Sequence, residues 1–129
     1  MARILAVDDS AAMRQMVGIT LTGAGHDVQQ ASDGAEALEL AERQRFDLVI
    51  TDVLMPDGDG IELICEVKKV QPTARIIAIS GGGHYLRASD CLGMAKGLGA
   101  HAVLMKPFDR AQLMETIERV LPAGVGGRS

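Results

Sequence analysis

The sequence has almost no aromatic residues and very few cysteines. Its 129 residues include no Trp, one Tyr and two Phe, so the hydrophobic content of 47% must supply an aliphatic core. The only two cysteines, Cys65 and Cys91, are far apart and form no CxxC pair. We therefore expect reduced, buried thiols in a cytoplasmic protein, and neither a disulfide framework nor a zinc site.

Long hydrophobic runs and an excess of positive charge are also missing. No apolar run approaches the roughly 20 residues that a membrane-spanning helix needs, and the first residues begin a short strand instead of a signal peptide. A net charge of −4 argues against a nucleic-acid-binding surface. These absences predict no membrane and no nucleic-acid partner, and the length of 129 residues predicts a single domain.

Short apolar runs alternate along the chain with segments of helical period. The runs lie at 3–7, 28–31, 48–50, 76–79 and 102–105. Four of them are nearly continuous in aliphatic residues, as in parallel strands covered on both faces, and the more polar second run predicts an edge strand. Five strand-then-helix repeats predict an α/β fold with a doubly wound, five-stranded parallel sheet and five helices.

Each predicted helix has an apolar stripe or a terminal signal. The stripes are Met13, Met16, Val17 and Leu21; Ala35, Leu38 and Ala41; Ile61, Ile64 and Val67; Ala88, Cys91, Leu92, Ala95 and Leu98; and Leu113, Ile117, Val120 and Leu121. Gly23 and Gly25 predict the end of the first helix, Pro72 follows the third, and Asp109 is the predicted N-cap of the last.

Polar residues follow four of the predicted strands. Asp8 and Asp9 follow the first strand, Asp52 the third, Ser80 the fourth and Lys106 the fifth. Each one alone is explained as a helix cap or a turn residue. Because ligands of doubly wound sheets bind outside the carboxyl ends of the strands, five such residues at one edge predict a functional site.

The residue types at this edge fit one reaction. Clustered carboxylates such as Asp8, Asp9 and Asp52 repel one another, and a bound cation lowers the free-energy cost of keeping all of them ionised. Oxygen ligands with room for water suit magnesium. A carboxylate beside the metal is a possible nucleophile toward phosphorus, while Lys106 and the Ser80 hydroxyl neutralise the transferring oxygens.

Four segments resemble the receiver domains of two-component response regulators. They are Val7-Asp8-Asp9-Ser10, Thr51-Asp52-Val53-Leu54-Met55-Pro56-Asp57-Gly58-Asp59-Gly60, Ile79-Ser80-Gly81 and Met105-Lys106-Pro107-Phe108. The resemblance covers nearly the whole chain and is closest to single-domain chemotaxis regulators. It implies the flavodoxin-like strand order 2-1-3-4-5, a receiver domain over residues 1–121, a flexible tail over 122–129 and no output domain.

The resemblance also implies the role of each site residue. Asp52 is the predicted phosphoacceptor. Asp9, Asp52 and the Leu54 backbone carbonyl are predicted magnesium ligands, with Asp8 acting in the same site largely through water. Ser80, Gly81 and Lys106 are predicted to bind the phosphoryl group.

The implied function is that of a signalling switch and not of an enzyme in the ordinary sense. The predicted partners are a sensor histidine kinase or phosphotransfer protein that supplies the phosphoryl group, and a downstream target protein. The face near the fourth helix, fifth strand and fifth helix is predicted to change shape. A messenger to a target protein and a phosphorelay intermediate both remain open.

Two residues depart from the best-known relatives. Val103 occupies the switch position, where an aromatic residue is common. Leu54 is apolar where many relatives carry a polar side chain, and it cannot orient an attacking water, which predicts slow loss of the phosphate. Leu54 also weighs against the alternative from the enzyme class, a magnesium-dependent aspartyl phosphatase, because such enzymes usually carry a second Asp at that position.

Overall fold

The computed structural model describes residues 2–53, 60–80 and 99–121. In chain order the elements are β1 (Arg3–Val7), α1 (Ala11–Gly23), β2 (Asp27–Ala31), α2 (Gly34–Arg43), β3 (Leu48–Asp52), α3 (Gly60–Val70), β4 (Arg75–Ser80), β5 (Ala102–Met105) and α4 (Arg110–Val120). The helix predicted at 88–98 and the tail predicted at 122–129 lie outside the described residues.

The five strands form one parallel sheet in the order β2-β1-β3-β4-β5. The predicted α/β class and strand order are therefore confirmed, and the polar β2 lies at an edge as predicted. β3 is longer than its apolar run and ends at Asp52. This extension places the predicted phosphoacceptor in the last position of a central strand.

The core lies on both faces of the sheet. In β1, Ile4 and Ala6 pack on the side of α1 and α4, whereas Leu5 and Val7 pack on the side of α2. All four side chains are buried. This alternation explains why the strand reads as a continuous apolar run, since both of its faces are covered.

Local hydrogen bonds fix the helix ends. Asp109 caps α4, and its side chain and that of Gln112 each accept the other residue's backbone N–H, at 2.8 and 2.9 Å, so the predicted N-cap is confirmed. The Ser10 hydroxyl accepts the Met13 N–H at 3.2 Å and caps α1. Beyond α1, Gly25 has a φ of 96°, a conformation that favours glycine and turns the chain toward β2.

Two predictions about buried residues were wrong. Ala35 is exposed, because the apolar stripe of α2 runs along Ala37 and Ala41, one helical turn apart, and Ala35 lies on the other side of the first turn. Cys65 is a free, half-buried thiol, because α3 turns Ile64 and Val67 toward the sheet and leaves Cys65 at the flank. Cys91 lies outside the described residues.

Side chains close the amino-terminal edge of the sheet, opposite the predicted site. Four of them accept backbone N–H groups near the strand starts: His26 from Ala2 at 3.3 Å, Asp47 from Arg3 at 2.8 Å, Gln71 from Phe46 at 2.8 Å and His101 from Ile76 at 3.0 Å. These groups would otherwise lack a partner in the strand ladder. Both histidines accept through Nδ1, which requires an imidazole that is not protonated at this nitrogen.

Candidate functional site

Three carboxylates meet at the carboxyl edge of the sheet. Asp8 follows β1, Asp9 is the next residue, and Asp52 ends β3. Each contributes a carboxylate oxygen, and these oxygens lie within 4.8 Å of one another. Because β1 and β3 are adjacent and parallel, their carboxyl ends bring together residues more than forty positions apart in the sequence.

The three carboxylates differ in their exposure to solvent. Asp8 and Asp52 are only 2% and 4% exposed, whereas Asp9 is exposed. Burial removes most of the water that would stabilise two of the negative charges. The cluster is therefore open on the side of Asp9 and closed on the side of the strands.

Lys106 joins the cluster from the end of β5. Its Nζ donates a hydrogen bond to Asp52 Oδ2 at 2.9 Å and lies 3.4 Å from Asp8 Oδ2. Burial lowers the pKa of Lys106, but the hydrogen bond and charge of Asp52, with the charge of Asp8, more than offset this effect and raise it. Lys106 therefore stays protonated and pairs with the two buried carboxylates, Asp8 and Asp52.

Asp8 is the member of the cluster with an unsatisfied oxygen. Its Oδ1 accepts the Ser10 N–H at 2.9 Å, but the buried Oδ2 accepts no hydrogen bond in the described part of the chain. Burial raises the pKa of Asp8, and the nearby Asp52 charge adds to this, while Ser10 and Lys106 oppose it. A buried carboxylate oxygen whose contact is a 3.4 Å ion pair with Lys106, beside two further carboxylates, fits a hard divalent cation such as Mg²⁺.

Arg14, on α1, contacts the backbone of the acidic pair. Its Nη1 donates a hydrogen bond of 2.6 Å to the carbonyl oxygen of Asp8. The motifs at the strand ends did not indicate a role for this residue. The available signal was a lone basic residue in the second turn of a helix that begins directly after the acidic pair.

Gly60 brings the start of α3 against the end of β3. Its N–H donates to the Val53 carbonyl at 3.2 Å, and a Cβ added at this position would lie 1.9 Å from the Asp52 carbonyl oxygen. Only a residue without a side chain allows this approach. Gly60 thus sets the backbone position of Asp52 from the following helix.

The remaining predicted site residues are only partly described. Leu54, Gly81 and the Ser80 side chain lie outside the described part of the chain. Ser80 is the last residue of β4, beside Met105 of β5. Val103 is half-buried and packs against a small cluster that includes Ile76 and Ala78.

Of the helices in the described ranges, none is long and apolar enough to cross a bilayer.

The fold and this edge define a doubly wound α/β domain with an acidic site at the carboxyl ends of its strands. Residues 4–118 match the family described as response regulator receiver domain. The chain is 39% identical to the chemotaxis response regulator CheY4 of Vibrio cholerae, and the two structures superpose with a TM-score of 0.85 over 94% of this chain and 99% of that one.

Two further relatives differ in length. Sporulation initiation phosphotransferase F of Bacillus subtilis is 31% identical over 120 residues, which cover 93% of this chain and 94% of that protein. The transcriptional regulatory protein GlrR of Escherichia coli is 35% identical over 93% of this chain, which spans about a quarter (26%) of its length.

The chain therefore belongs to the response regulator receiver domain family. Receiver domains are signalling switches and not classical enzymes, and phosphorylation on an aspartate is typical of them.

Proposed function

We propose that the chain is a phosphoacceptor switch in which Asp52 receives a phosphoryl group with the help of magnesium. One observation carries the proposal. The Asp52 carboxylate is 4% exposed, is hydrogen-bonded to Lys106 at 2.9 Å, and lies within 4.8 Å of the Asp8 and Asp9 oxygens. A buried carboxylate between a fixed cation and two further carboxylates suits a nucleophile that works beside a metal.

The proposed magnesium ligands are Asp9, Asp52 and the Leu54 carbonyl, with Asp8 bound largely through water. When bound, the ion neutralises negative charge on the cluster and on the transferring phosphoryl oxygens. The exposed Asp9 gives the ion a route from solvent, whereas Asp8 Oδ2, which makes no hydrogen bond within the described residues, gives it or its water a buried acceptor. Because few protein ligands are available, we expect weak, readily reversible binding.

The chemical step is an in-line displacement at phosphorus. A carboxylate oxygen of Asp52 attacks the phosphorus of a phosphohistidine, the phosphorus–nitrogen bond breaks, and the histidine ring leaves with the electron pair of that bond. Lys106, held at Asp52 Oδ2, is in position to neutralise the phosphoryl oxygens. The Ser80 hydroxyl and the Gly81 amide are the predicted further donors.

Phosphorylation by a small acyl phosphate tests the proposal without knowledge of the kinase. With magnesium present, we expect the chain to gain one phosphoryl group, detected by intact mass. Asp52→Asn should abolish it and Lys106→Met should slow it strongly. Asp27→Asn is the matched control, because Asp27 is an exposed carboxylate at the start of β2, on the edge of the sheet opposite the cluster. An Asp52→Asn protein that is phosphorylated at the normal rate would refute the assignment.

The proposed partners follow from this chemistry. A sensor histidine kinase or a phosphotransfer protein would supply the phosphoryl group, and a downstream protein would bind the altered face around β5 and α4. Because Val103 is smaller than the aromatic residue that is common at the switch position, we expect a smaller displacement than an aromatic side chain would make. The cytoplasmic location remains a prediction from the two isolated cysteines.

A role as a phosphorelay intermediate is the second candidate. It is favoured by the similarity over 94% of a protein named as a sporulation initiation phosphotransferase. Incubation of the phosphorylated chain with histidine phosphotransfer proteins of its source organism separates the two roles. Rapid loss of label to one of them supports the relay, whereas retention of label supports a messenger.

A further inference from the structure

The guanidinium of Arg14 holds the peptide group between two predicted metal-site carboxylates. Nη1 donates to the Asp8 carbonyl oxygen at 2.6 Å, and this carbonyl belongs to the peptide that joins Asp8 to Asp9. Any rotation of that peptide would change the direction in which the two side chains project. Arg14 therefore acts on the geometry of the acidic pair without contacting either carboxylate in this hydrogen bond.

Three other hydrogen bonds fix the rest of this loop. The Asp8 N–H donates to the Ala31 carbonyl of β2 at 3.2 Å, and the Ser10 N–H donates to Asp8 Oδ1 at 2.9 Å. The Ser10 hydroxyl in turn caps α1. Asp8 is thus bonded at its N–H, at Oδ1 and at its carbonyl oxygen. Of these hydrogen bonds, the one from Arg14 has a charged donor, which makes it the strongest.

Asp9 depends on this peptide more than Asp8 does. Its side chain is exposed, and within the described ranges no hydrogen bond or ion pair restrains it. The direction of its Cα–Cβ bond toward the cluster is therefore set by the backbone. Repulsion from Asp8 and Asp52 favours movement of Asp9 away from the cluster, and the Arg14 hydrogen bond opposes the part of this movement that a rotation of the peptide would provide.

We propose that Arg14 is a positioning residue that preorganises the acidic pair for a divalent cation. The inference rests on the proposed function, because it names a further residue of the same site. Preorganisation means that the backbone of Asp9 is already in place before the ion arrives, so that ordering this backbone does not reduce the binding free energy. Loss of Arg14 should therefore weaken magnesium binding and leave the chemical step at saturating magnesium unchanged.

Magnesium titrations of three variants test this inference. The amide NMR shifts of Asp9 and Asp52 report binding. We expect Arg14→Met to raise the magnesium Kd about tenfold, which corresponds to about 1.4 kcal/mol and to one hydrogen bond from a charged group. Arg14→Lys keeps a charged donor and should lie between this variant and the wild type. Arg43→Met is the matched control, because Arg43 is an exposed arginine paired with Glu39 at 3.8 Å on α2.

Phosphorylation by a small acyl phosphate gives the second readout. In Arg14→Met the magnesium concentration for half-maximal rate should rise with the Kd, while the maximal rate stays at the wild-type value. A Kd within about twofold of wild type overturns the inference, and so does a normal Kd with a lower maximal rate. If Arg14→Met does not fold, the same criterion applies to Arg14→Lys. A wild-type chain that neither binds magnesium nor is phosphorylated refutes the proposed function instead.

Discussion

Replacement of Asp9 by asparagine should stabilise the protein in the absence of metal and remove its stabilisation by magnesium. Asp9 shares a cluster with Asp8 and Asp52, whose oxygens lie within 4.8 Å, and Lys106 pairs with Asp8 and Asp52. Asparagine keeps the size of the side chain and removes its charge. Together Asp8, Asp52 and Lys106 carry a net charge of −1. The change therefore removes about one net repulsive pair.

The size of the effect follows from the distance and the exposure. At 4.8 Å two unit charges repel by about 0.9 kcal/mol in water and by about 3.5 kcal/mol at an effective dielectric constant of about 20. Because Asp9 is exposed, the lower value applies, and one net repulsive pair gives about 1 kcal/mol. For a domain of this size the metal-free melting temperature should rise by about 3–5 °C.

Thermal melting by far-ultraviolet circular dichroism measures this, since the chain has no Trp for fluorescence. In chelator, Asp9→Asn should melt above the wild type. In millimolar magnesium the order should reverse, because only the wild type is stabilised by ligand binding. Glu118→Gln, at an exposed position of α4, corrects for the general effect of removing one negative charge. A lower melting temperature of Asp9→Asn in chelator would show that Lys106 already compensates the cluster.

Three further predictions concern the β3–α3 junction, acid stability and the phosphate lifetime. Gly60→Ala should lower the free energy of unfolding, measured by urea titration, by about 3 kcal/mol, because its Cβ would lie 1.9 Å from a backbone oxygen. Gly23→Ala is the control and should be neutral or slightly stabilising, because no atom lies within 4 Å of a Cβ at that position. Burial lowers the pKa of His26 and of His101 from 6.5, helped by the chain's amino terminus and by neighbouring cations respectively. The stability that these neutral rings contribute is therefore complete above pH 6.5, and it is lost as the pH falls from there toward their folded-state pKa values. The melting temperature should decrease in that pH window, and His26→Gln should make the decrease smaller. Leu54→Asn should shorten the lifetime of the aspartyl phosphate several-fold in a decay assay, and an unchanged lifetime would contradict the role given to this side chain.

The sequence by itself determined the layers, the strand positions and the edge on which the site lies. These features follow from short-range patterns, because a strand covered on both faces must be apolar throughout and a helix end needs a cap such as Asp109. The location of Asp8 and Asp52 followed from the same logic, since parallel strands end at a common edge.

Only the tertiary structure decided how the residues at that edge differ from one another. Asp8 and Asp9 are adjacent and chemically identical, yet one is 2% exposed and the other is exposed, because the packing of the neighbouring elements covers only one of them. The same applies to the Lys106 hydrogen bond with Asp52, which joins residues 54 positions apart. Arg14 contacts the Asp8 carbonyl because of the direction in which α1 runs, and Gly60 lies against Asp52 because α3 packs close to the end of β3. Burial and pairing depend on which distant elements pack together, and a local sequence pattern does not specify that packing.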